Sequence, residues 1–544
     1  MQGLMQRWPL RVSSLLDHAG REHAEREVVT RTVEGPLHRT SWAELRSRAR
    51  RCASALSRLG VGAGDRVGTL AWNTHRHLEL WYGIAGIGAV THTVNPRLFP
   101  EQIAWIIDHA EDRYVCVDLP FVPLLEGLRG RCPRVRGTIV MTDREHMPAT
   151  SLPNALCYEE LLAAGDPDFA WVPGDEEAAC GLCYTSGTTG NPKGVLYSHR
   201  SNVIHTWIVN SGDVFGLRSR DVVLPVVPMY HANAWGLAFA APMAGAKLVL
   251  PGPRLDGASL HELLEGERVT FSAAVPTVWL TLLQHLEETG ARLSHLERVV
   301  IGGSACPRAL LERFERRFGV EVVHAWGMTE MNPIGTIGTL KAGAELLPEE
   351  ERMRLRLKQG RVPYGVEMRI VDDAGRELPR DGRAFGHLEV RGPCVARAYL
   401  DEEADLLDAQ GWFDTGDVST IDGLGTMQIT DRAKDVIKSG GEWISSIELE
   451  NLAMGHPGVA EAAVIGVPHP RWDERPLLVV VRQPGSQVGR EDLLEFLADK
   501  VARWWLPDEV VFVPEIPHTA TGKIQKTALR ERFGAIGGGR PGPV

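Results

Sequence analysis

Strand-like and helix-like segments alternate along roughly the first 340 residues of this chain, and no other feature limits the fold as much. The segment TSWAELRSRARRCASALSRLG opens with Ser41 and Glu44 at capping-box spacing and ends at Gly60. A short strand-like run, DRVGTLAWN, follows it, and the strand–turn–helix scheme returns in FSAAVPTVWLTLLQHLEETG. Alternation of this kind predicts an α/β fold of layered helices and mostly parallel strands.

The pattern changes at about residue 362, where every second residue tends to be apolar, as in VEMRIVDDAGRELP and GHLEVRGP. This period of two predicts antiparallel strands, which we expect to form a small β-barrel-like subdomain. The last hundred or so residues carry their own strands and one clear helix, REDLLEFLADKVARWW, and predict a small α+β domain. The expected organisation is a large N-terminal domain at 1–431 (α/β subdomains at about 1–184 and 185–361, antiparallel strands at 362–431), a domain boundary at 432–434, a C-terminal domain at 435–534 and a flexible tail at 535–544.

Charge and composition exclude several kinds of partner. The net charge is −11 with both signs interspersed, which argues against a nucleic-acid or anionic membrane surface but leaves room for a small anionic ligand. The N-terminal stretch MQGLMQRWPLRVSS has no continuous apolar core and does not predict a signal peptide. The uncharged segment 222–246 is long enough to span a bilayer, but Pro225, Pro228 and Pro242 interrupt it, so we expect buried core and a binding loop. We therefore expect a cytoplasmic protein with no integral membrane segment.

The eight cysteines are scattered through the chain and form no disulfide framework. Cys180 and Cys183 make a C-x-x-C pair, but a four-thiolate zinc site needs a second pair, which the sequence lacks. The simpler interpretation is two small apolar residues in a buried strand.

A glycine- and hydroxyl-rich tract, YTSGTTGNPKG, follows a strand-like run from Tyr184 to Gly194. Backbone N–H groups and hydroxyls in such a loop can converge on phosphate oxygens, and Lys193 adds a positive charge. A flexible linker is the alternative, although linkers seldom follow a buried strand and end in a rigid Asn-Pro pair. The tract is no Walker loop, because the residue after Lys193 is glycine rather than serine or threonine.

Four further motifs follow in order: HAWGMTE at 324–330, GWFDTGD at 411–417, DRAKDVIKSGGEWIS at 431–445 and PHTATGKIQK at 517–526. With the glycine–threonine tract, they identify the chain as a member of the adenylate-forming (acyl-CoA synthetase, AMP-binding) superfamily. The resemblance implies a reaction in two halves. A carboxylate first attacks the α-phosphate of ATP and expels pyrophosphate, and the thiol of coenzyme A then attacks the acyl-adenylate. It also implies Mg²⁺ as the cation that bridges the phosphates.

The same resemblance assigns roles to individual residues. Thr185 and Glu330 are the expected magnesium ligands, and Lys523 is expected to neutralise the charge that develops at the α-phosphate. A helix-start carboxylate is the alternative for Glu330 and a solvated loop lysine for Lys523. The set implied for ATP or AMP is Thr185, Ser186, Gly187, Thr188, Thr189, Gly190, Lys193, Gly303, Ser304, Ala305, His324, Ala325, Trp326, Gly327, Met328, Thr329, Asp417, Arg432, Lys438 and Lys523.

Within that set, the ribose hydroxyls are expected to bond Asp417 with help from Arg432. Trp326 is expected to face the base, with a core tryptophan as the alternative. The resemblance also implies that residues 432–434 form a hinge and that the small C-terminal domain is mobile. Rotation at Lys434 would then withdraw Lys523 and bring Gly440, Gly441, Glu442 and Trp443 to the CoA side.

The loop PMYHANAWG at 228–236 bears on the acid. Amino-acid-activating relatives carry an aspartate there that this chain lacks, whereas His231, Trp235 and Gly302 resemble the acyl pocket of ligases for unsubstituted aliphatic acids. The resemblance implies that His231 is a catalytic residue next to the carboxylate and that Trp235 shapes or gates an apolar tunnel. A buried histidine bonded to a backbone carbonyl is the alternative for His231. Two subfamilies share these motifs: ligases for medium- and long-chain fatty acids and for methylmercaptopropionate.

We therefore expect an AMP-forming ligase for a short-to-medium aliphatic carboxylic acid, such as 3-methylmercaptopropionate, with ATP and coenzyme A as co-substrates and Mg²⁺ as cofactor. A long-chain fatty acid ligase is the alternative, and a luciferase-like oxygenase or a non-catalytic nucleotide-binding relative are remote ones. The resemblance also favours a homodimer.

Overall fold

The computed structural model describes residues 1–185, 191–402, 404–439, 442–518 and 524–534. Contacts within the chain divide it into two compact units. The first unit comprises Met1–Glu367 with Arg391–Gly411, and the second comprises Met368–Val390 with the described part of Trp412–Val544.

Two sheets form the first unit, and most of their strands run parallel. The seven-stranded sheet has the order β7-β6-β5-β3-β4-β8-β9 and is parallel except at its β8–β9 edge. Its strands are β3 (Arg66–Leu70), β4 (Val90–Thr93), β5 (Asp112–Val117), β6 (Gly137–Val140), β7 (Leu156–Cys157), β8 (Ala179–Tyr184) and β9 (Gly194–Ser198).

The eight-stranded sheet has the order β15-β14-β13-β12-β10-β11-β1-β2, with antiparallel pairs only at its two edges. Its strands are β1 (Glu27–Arg31), β2 (Leu37–Ser41), β10 (Val222–Pro225), β11 (Lys247–Leu250), β12 (Phe271–Ala274), β13 (Arg298–Ile301), β14 (Glu321–Gly327) and β15 (Ile334–Ile337). The sheets exchange strands across the expected subdomain border at residue 184. The early hairpin β1–β2 joins the eight-stranded sheet, whereas β9 closes an edge of the other.

Helices connect these strands, as the alternating sequence predicts. They are α1 (Val12–Glu22), α2 (Trp42–Arg58), α3 (His75–Gly86), α4 (Pro100–His109), α5 (Val122–Gly127), α6 (Tyr158–Ala163), α7 (His199–Val209), the short turn α8 (Ala232–Trp235), α9 (Leu237–Ala244), α10 (Gly257–Gly266), α11 (Pro276–Thr289), α12 (Arg308–Glu312) and α13 (Glu349–Leu357). Ser41 caps α2, since its hydroxyl accepts a hydrogen bond from the Glu44 N–H. The layered, mostly parallel α/β fold is confirmed.

The uncharged segment 222–246 supplies β10, α8 and α9 and is largely buried in the first unit. Its neighbours in the core include Trp42, Trp81 and Phe271. Among the described helices, none is both long and apolar enough to cross a membrane.

The second unit contains two smaller sheets. One has the order β16 (Glu367–Val371), β17 (Phe385–Arg391), β18 (Phe413–Ile421) and β19 (Met427–Arg432). It stays open, so the expected barrel-like subdomain is a four-stranded sheet; four short strands are too few to curl back and pair edge to edge. The other sheet combines β20 (Ile437–Ser439), β21 (Glu442–Ile444), β22 (Val459–His469), β23 (Asp473–Arg482) and β24 (Glu509–Phe512) with helices α14 (Ser446–Met454), α15 (Arg490–Ala498) and α16 (Lys526–Phe533).

Candidate active site

Strands β8 and β9 bring the two ends of the glycine–threonine tract together. The Thr185 N–H donates to the Lys193 carbonyl at 2.8 Å, and the Lys193 N–H donates to the Thr185 hydroxyl at 3.2 Å. The tract between them, from Ser186 to Gly190, lies outside the described residues. Thr185 and Lys193 are therefore held at one edge of the seven-stranded sheet, as a loop closed at its base requires.

The HAWGMTE motif follows β14 into a tight turn that carries Glu330. The Tyr197 hydroxyl on β9 donates to the Thr329 carbonyl at 2.6 Å, so β9 links this turn to the base of the glycine–threonine tract. Glu330 is only 6 % exposed, and its backbone carbonyl accepts the Ala396 N–H at 2.7 Å. A carboxylate and a hydroxyl in the same unit are the hard oxygen donors that Mg²⁺ prefers, so Glu330 and Thr185 fit that ion chemically.

Two positions in and near this motif require glycine, Gly327 for a close backbone contact and Gly303 for its φ angle. A Cβ on Gly327 would overlap the Pro333 carbonyl, which accepts the Met328 N–H at 3.0 Å. Gly303 has φ of +80°, a conformation that side chains disfavour, and with Ser304 and Ala305 it forms an exposed segment after β13.

His324 and Trp326 are more enclosed than a ligand-facing role by itself requires. The pKa of His324 is lowered by burial, while hydrogen bonds to backbone carbonyls, including those of Leu357 and Ser304, oppose the shift. Trp326 is buried, and its ring packs against Gly335 on β15. The assignment of both residues to the nucleotide stays a prediction; in this structure each also helps to pack the sheet edge.

The expected acyl loop contains a left-handed turn. Ala232, Asn233, Ala234 and Trp235 have φ values of 46°, 56°, 53° and 55°. Each such residue costs about 1–2 kcal/mol in the left-handed conformation, so the surroundings must impose it. The Pro228 carbonyl accepts the Ala234 N–H at 3.2 Å, and Asn233 accepts a buried hydrogen bond from the Trp81 indole at 3.2 Å.

This turn places the Trp235 indole against Gly302, after β13. A Cβ on Gly302 would lie 3.0 Å from the indole and 3.0 Å from the Ala325 carbonyl, so a larger residue would press on both. His231 is half-buried at the start of the turn. The structure therefore brings together Trp235 and Gly302 of the expected acyl pocket.

His205 on α7 supports the same region, although no sequence motif singled it out. Its Nε2 accepts the Ile334 N–H at 3.2 Å, and its ring packs against Gly236 at the end of the left-handed turn. Burial lowers its pKa to about 3, so it remains a neutral acceptor. His205 thus connects the acyl loop to the strand that follows the Glu330 turn.

Tyr399 is a second residue that the sequence analysis missed. Its hydroxyl donates to Glu330 Oε1 at 2.7 Å across 69 positions of sequence. No local spacing could reveal that contact, because a tyrosine in a loop carries no periodic signal.

The two cysteines of the C-x-x-C pair are buried on β8 and have different partners. Cys180 contacts the Asn202 amide at 3.3 Å, and Cys183 contacts the Thr93 hydroxyl at 3.1 Å. Burial raises the pKa of both thiols, which suits small core residues.

In the second unit, Asp417 and Arg432 are partners. They are paired across β18 and β19, and the Arg432 Nε lies 2.9 Å from Asp417 Oδ1. Asp417 is 2 % exposed, whereas Arg432 is exposed. A carboxylate fixed in this way is a suitable acceptor for vicinal hydroxyls, so the predicted ribose pair does occur as a pair.

Several of the residues expected at the hinge and on the CoA side lie on or near the antiparallel pair β20–β21. The Lys438 ammonium lies 5.2 Å from the centre of the Trp443 ring, which also contacts Phe385. Burial is the largest cause that lowers the pKa of Lys434. Glu442 begins β21, but Gly440 and Gly441 lie outside the described residues.

The same holds for the predicted catalytic Lys523, which lies between the described His518 and Ile524, residues joined by an isolated β-bridge. Three positions after Lys523, Lys526 lies 2.8 Å from Glu450.

Comparison with known proteins identifies the family. The model of the AMP-binding enzyme family matches residues 16–400, and that of the AMP-binding enzyme C-terminal domain matches 448–523. The chain is 51 % identical to a 3-methylmercaptopropionyl-CoA ligase of Ruegeria lacuscaerulensis, over 98 % of this chain and 99 % of the relative. It is 49 % identical to a medium-chain-fatty-acid–CoA ligase of Ectopseudomonas oleovorans (98 % of each chain) and 49 % identical to a long-chain-fatty-acid–CoA ligase of Thermus thermophilus (97 % of each).

Among solved structures, an anthranilate CoA ligase in complex with anthranoyl-AMP superimposes with a TM-score of 0.84 at 25 % identity, covering 98 % of this chain and 99 % of the other. The two family models leave out residues 401–447, but the alignment with the Ruegeria lacuscaerulensis relative extends over 98 % of the chain. This chain belongs to the AMP-binding enzyme family and is an AMP-forming acyl-CoA ligase.

Proposed function

We propose that this ligase activates a short-to-medium aliphatic carboxylic acid, with 3-methylmercaptopropionate as the first candidate, to its CoA thioester. ATP is cleaved to AMP and pyrophosphate through an acyl-adenylate. The observation that carries the choice of acid is the Trp235 indole, held against Gly302 by the left-handed turn, where a bulky ring would leave less room for a long acyl chain. The high identity to a 3-methylmercaptopropionyl-CoA ligase supports the same choice.

In the first half-reaction an anion approaches a polyanion, so the residues of the site must mainly neutralise charge. Thr185 and Glu330 would hold Mg²⁺, which when bound draws negative charge from the phosphates. Lys193 would contact the phosphates, and Asp417 with Arg432 would fix the ribose. Lys523 would donate to the α-phosphate oxygens as the acid attacks.

In the second half-reaction the small domain would rotate at Lys434, withdrawing Lys523 and presenting residues 440–443 to coenzyme A. The proposal includes residues 432–434 as the hinge between the two domains. Proline at position 434 would fix φ and block the rotation, so Lys434→Pro should impair thioester formation far more than adenylate formation. Equal loss of both half-reactions would contradict the hinge.

The acid is tested by pyrophosphate release with propionate, 3-methylmercaptopropionate, butyrate, octanoate and palmitate, each with and without coenzyme A. We expect the highest kcat/KM among the acids up to octanoate. Lys523→Ala should still bind ATP while losing adenylate formation by orders of magnitude. No release with any of the acids would refute the proposed substrate class.

A long-chain fatty acid ligase is the second candidate, because the Thermus thermophilus relative at 49 % identity bears that name. Palmitate as the best substrate of the same panel would establish it. We also propose a cytoplasmic homodimer; light scattering of the purified chain measures its mass, and a monomer would refute the dimer.

A further inference from the structure

The loop at 396–402 contacts both charged residues that we expect at the phosphate site, Lys193 and Glu330. Besides donating to Glu330, Tyr399 places its ring 4.5 Å from the Lys193 ammonium. Glu402, three residues later, pairs with the same ammonium at 3.3 Å. Lys193 and Glu330 belong to separate motifs, and this loop is where one residue contacts both.

Backbone hydrogen bonds fix the loop against both motifs. The Ala396 N–H donates to the Glu330 carbonyl at 2.7 Å, and the Leu400 N–H donates to the Gly194 carbonyl at 2.8 Å. Leu400 also packs against the apolar core beside β8. Tyr399 therefore stands on a segment that is clamped at two points, as a positioning residue requires.

We propose that Tyr399 positions Glu330 for the cation that accompanies ATP, and that Glu402 occupies Lys193 until the phosphates of ATP replace it. This inference rests on the proposed function, in which Glu330 and Lys193 belong to the ATP site. Tyr399 acts through Glu330 and contacts no reacting atom.

The tyrosine hydroxyl suits this role because it remains a donor. Its O–H donates to Glu330 Oε1 at 2.7 Å. A donated hydrogen bond fixes one carboxylate oxygen and orients the other. Residues that orient a metal ligand in this way typically contribute about 10–100-fold to metal affinity.

The ion pair of Glu402 and Lys193 is open to solvent, unlike the hydrogen bond between Tyr399 and Glu330. The side chains of Glu402 and Lys193 are 40 % and 46 % exposed, which is the situation of a surface ion pair. An incoming polyanion can therefore displace the single carboxylate, and the Tyr399 ring keeps the ammonium near the loop in both states.

The test measures ATP binding by calorimetry without acid or coenzyme A, once with EDTA and once with excess Mg²⁺. The wild-type protein should bind ATP, and Mg²⁺ should tighten it. Tyr399→Phe keeps the ring and removes the hydroxyl, so it should reduce the tightening by Mg²⁺ about tenfold while leaving metal-free ATP binding within about twofold. Tyr364→Phe, at an exposed tyrosine of the same unit, is the matched control and should behave as wild type.

Glu402→Gln should tighten ATP by about two- to fivefold both with and without Mg²⁺, and about 1 M salt should abolish that gain. Glu351→Gln, at an exposed glutamate on α13, is its control.

Unchanged Mg²⁺ tightening in Tyr399→Phe would overturn the positioning role, and unchanged or weaker ATP binding in Glu402→Gln would overturn the displacement. If the wild-type protein bound no ATP, the proposed function itself would fail and this inference with it. Wild-type binding with unresponsive variants would refute only the inference.

Discussion

Lys526 should be the residue on which the packing of the small C-terminal helices depends most. Its side chain is 10 % exposed, and its ammonium lies 2.8 Å from the Glu450 carboxylate, which is 12 % exposed, and donates to the Ser446 hydroxyl. Asp431, buried beside them, accepts the Ser446 N–H at 2.5 Å. The cluster thus contains two buried carboxylates and one buried ammonium, and it joins α16 to α14 and to the end of β19.

Lys526→Met preserves the length of the side chain and removes its charge. Breaking a buried ion pair by deleting one partner typically costs about 3–5 kcal/mol, because the other charge stays buried without compensation. Here two carboxylates would lose the same cation. We therefore expect a loss of about 3–5 kcal/mol in the local free energy of opening of α14 and α16 near pH 8.

The loss should depend on pH in a definite direction. Burial already raises the pKa of Glu450 and of Asp431, and the Lys526 charge opposes the rise in both. A carboxyl whose folded pKa is raised stabilises the fold below its unfolded pKa, and that contribution is lost as pH rises through the folded pKa. Without Lys526 the pKa values of Glu450 and Asp431 rise further, and each unit of such a shift corresponds to about 1.4 kcal/mol of free energy. The loss of local stability caused by Lys526→Met should therefore be smaller at pH 5.5 than at pH 8, by more than about 1 kcal/mol.

Hydrogen exchange of peptides from α14 and α16 measures this local free energy. Lys500→Met, at an exposed lysine after α15 that bonds the Phe496 carbonyl, is the control and should cost less than about 1 kcal/mol at either pH. Adding Glu450→Gln to Lys526→Met should recover part of the loss at pH 8. A deficit that is independent of pH, or no larger than that of the control, would refute the reasoning.

Three other substitutions test the site. Gly327→Ala should lower Tm and reduce adenylate formation at least about tenfold, since its methyl group must displace the Pro333 carbonyl; overpacking of this kind costs about 1–3 kcal/mol, whereas Gly266→Ala on α10, where a Cβ meets open space, should leave both unchanged or raise Tm slightly. Trp235→Ala should shift kcat/KM toward octanoate over butyrate by about tenfold or more, unlike Trp207→Ala at an exposed tryptophan, and an unaltered ratio would remove Trp235 from the acyl pocket. Asp417→Asn should weaken ATP binding at least about tenfold in calorimetry, because hydrogen bonds to a charged group contribute about 1.5–3 kcal/mol; the exposed Asp414→Asn on the same strand should not, and equal affinities would contradict the ribose assignment.

Local patterns in the sequence were sufficient for the fold class and the family. The capping box at Ser41 and the alternation of segments depend on neighbours in the chain, which is why α2 and the parallel strands appear where they were predicted. The order of the five motifs is a property of the linear sequence and does not depend on packing, so the sequence alone was enough to identify the family. The partnership of Asp417 and Arg432 was predicted from two separate motifs and is realised across two adjacent strands.

Tertiary structure decided everything that depends on residues far apart in the chain. A strand has the same two-residue period whichever sheet it joins, so the sequence could not show that β1 and β2 join the eight-stranded sheet, or that β16–β19 stay open. The left-handed turn at 232–235 contains no glycine until Gly236; packing around Asn233 imposes it against local preference. Tyr399 reaches Glu330, and Lys526 reaches Glu450, only because distant segments pack together, and such contacts follow from burial in three dimensions that no spacing along the chain records.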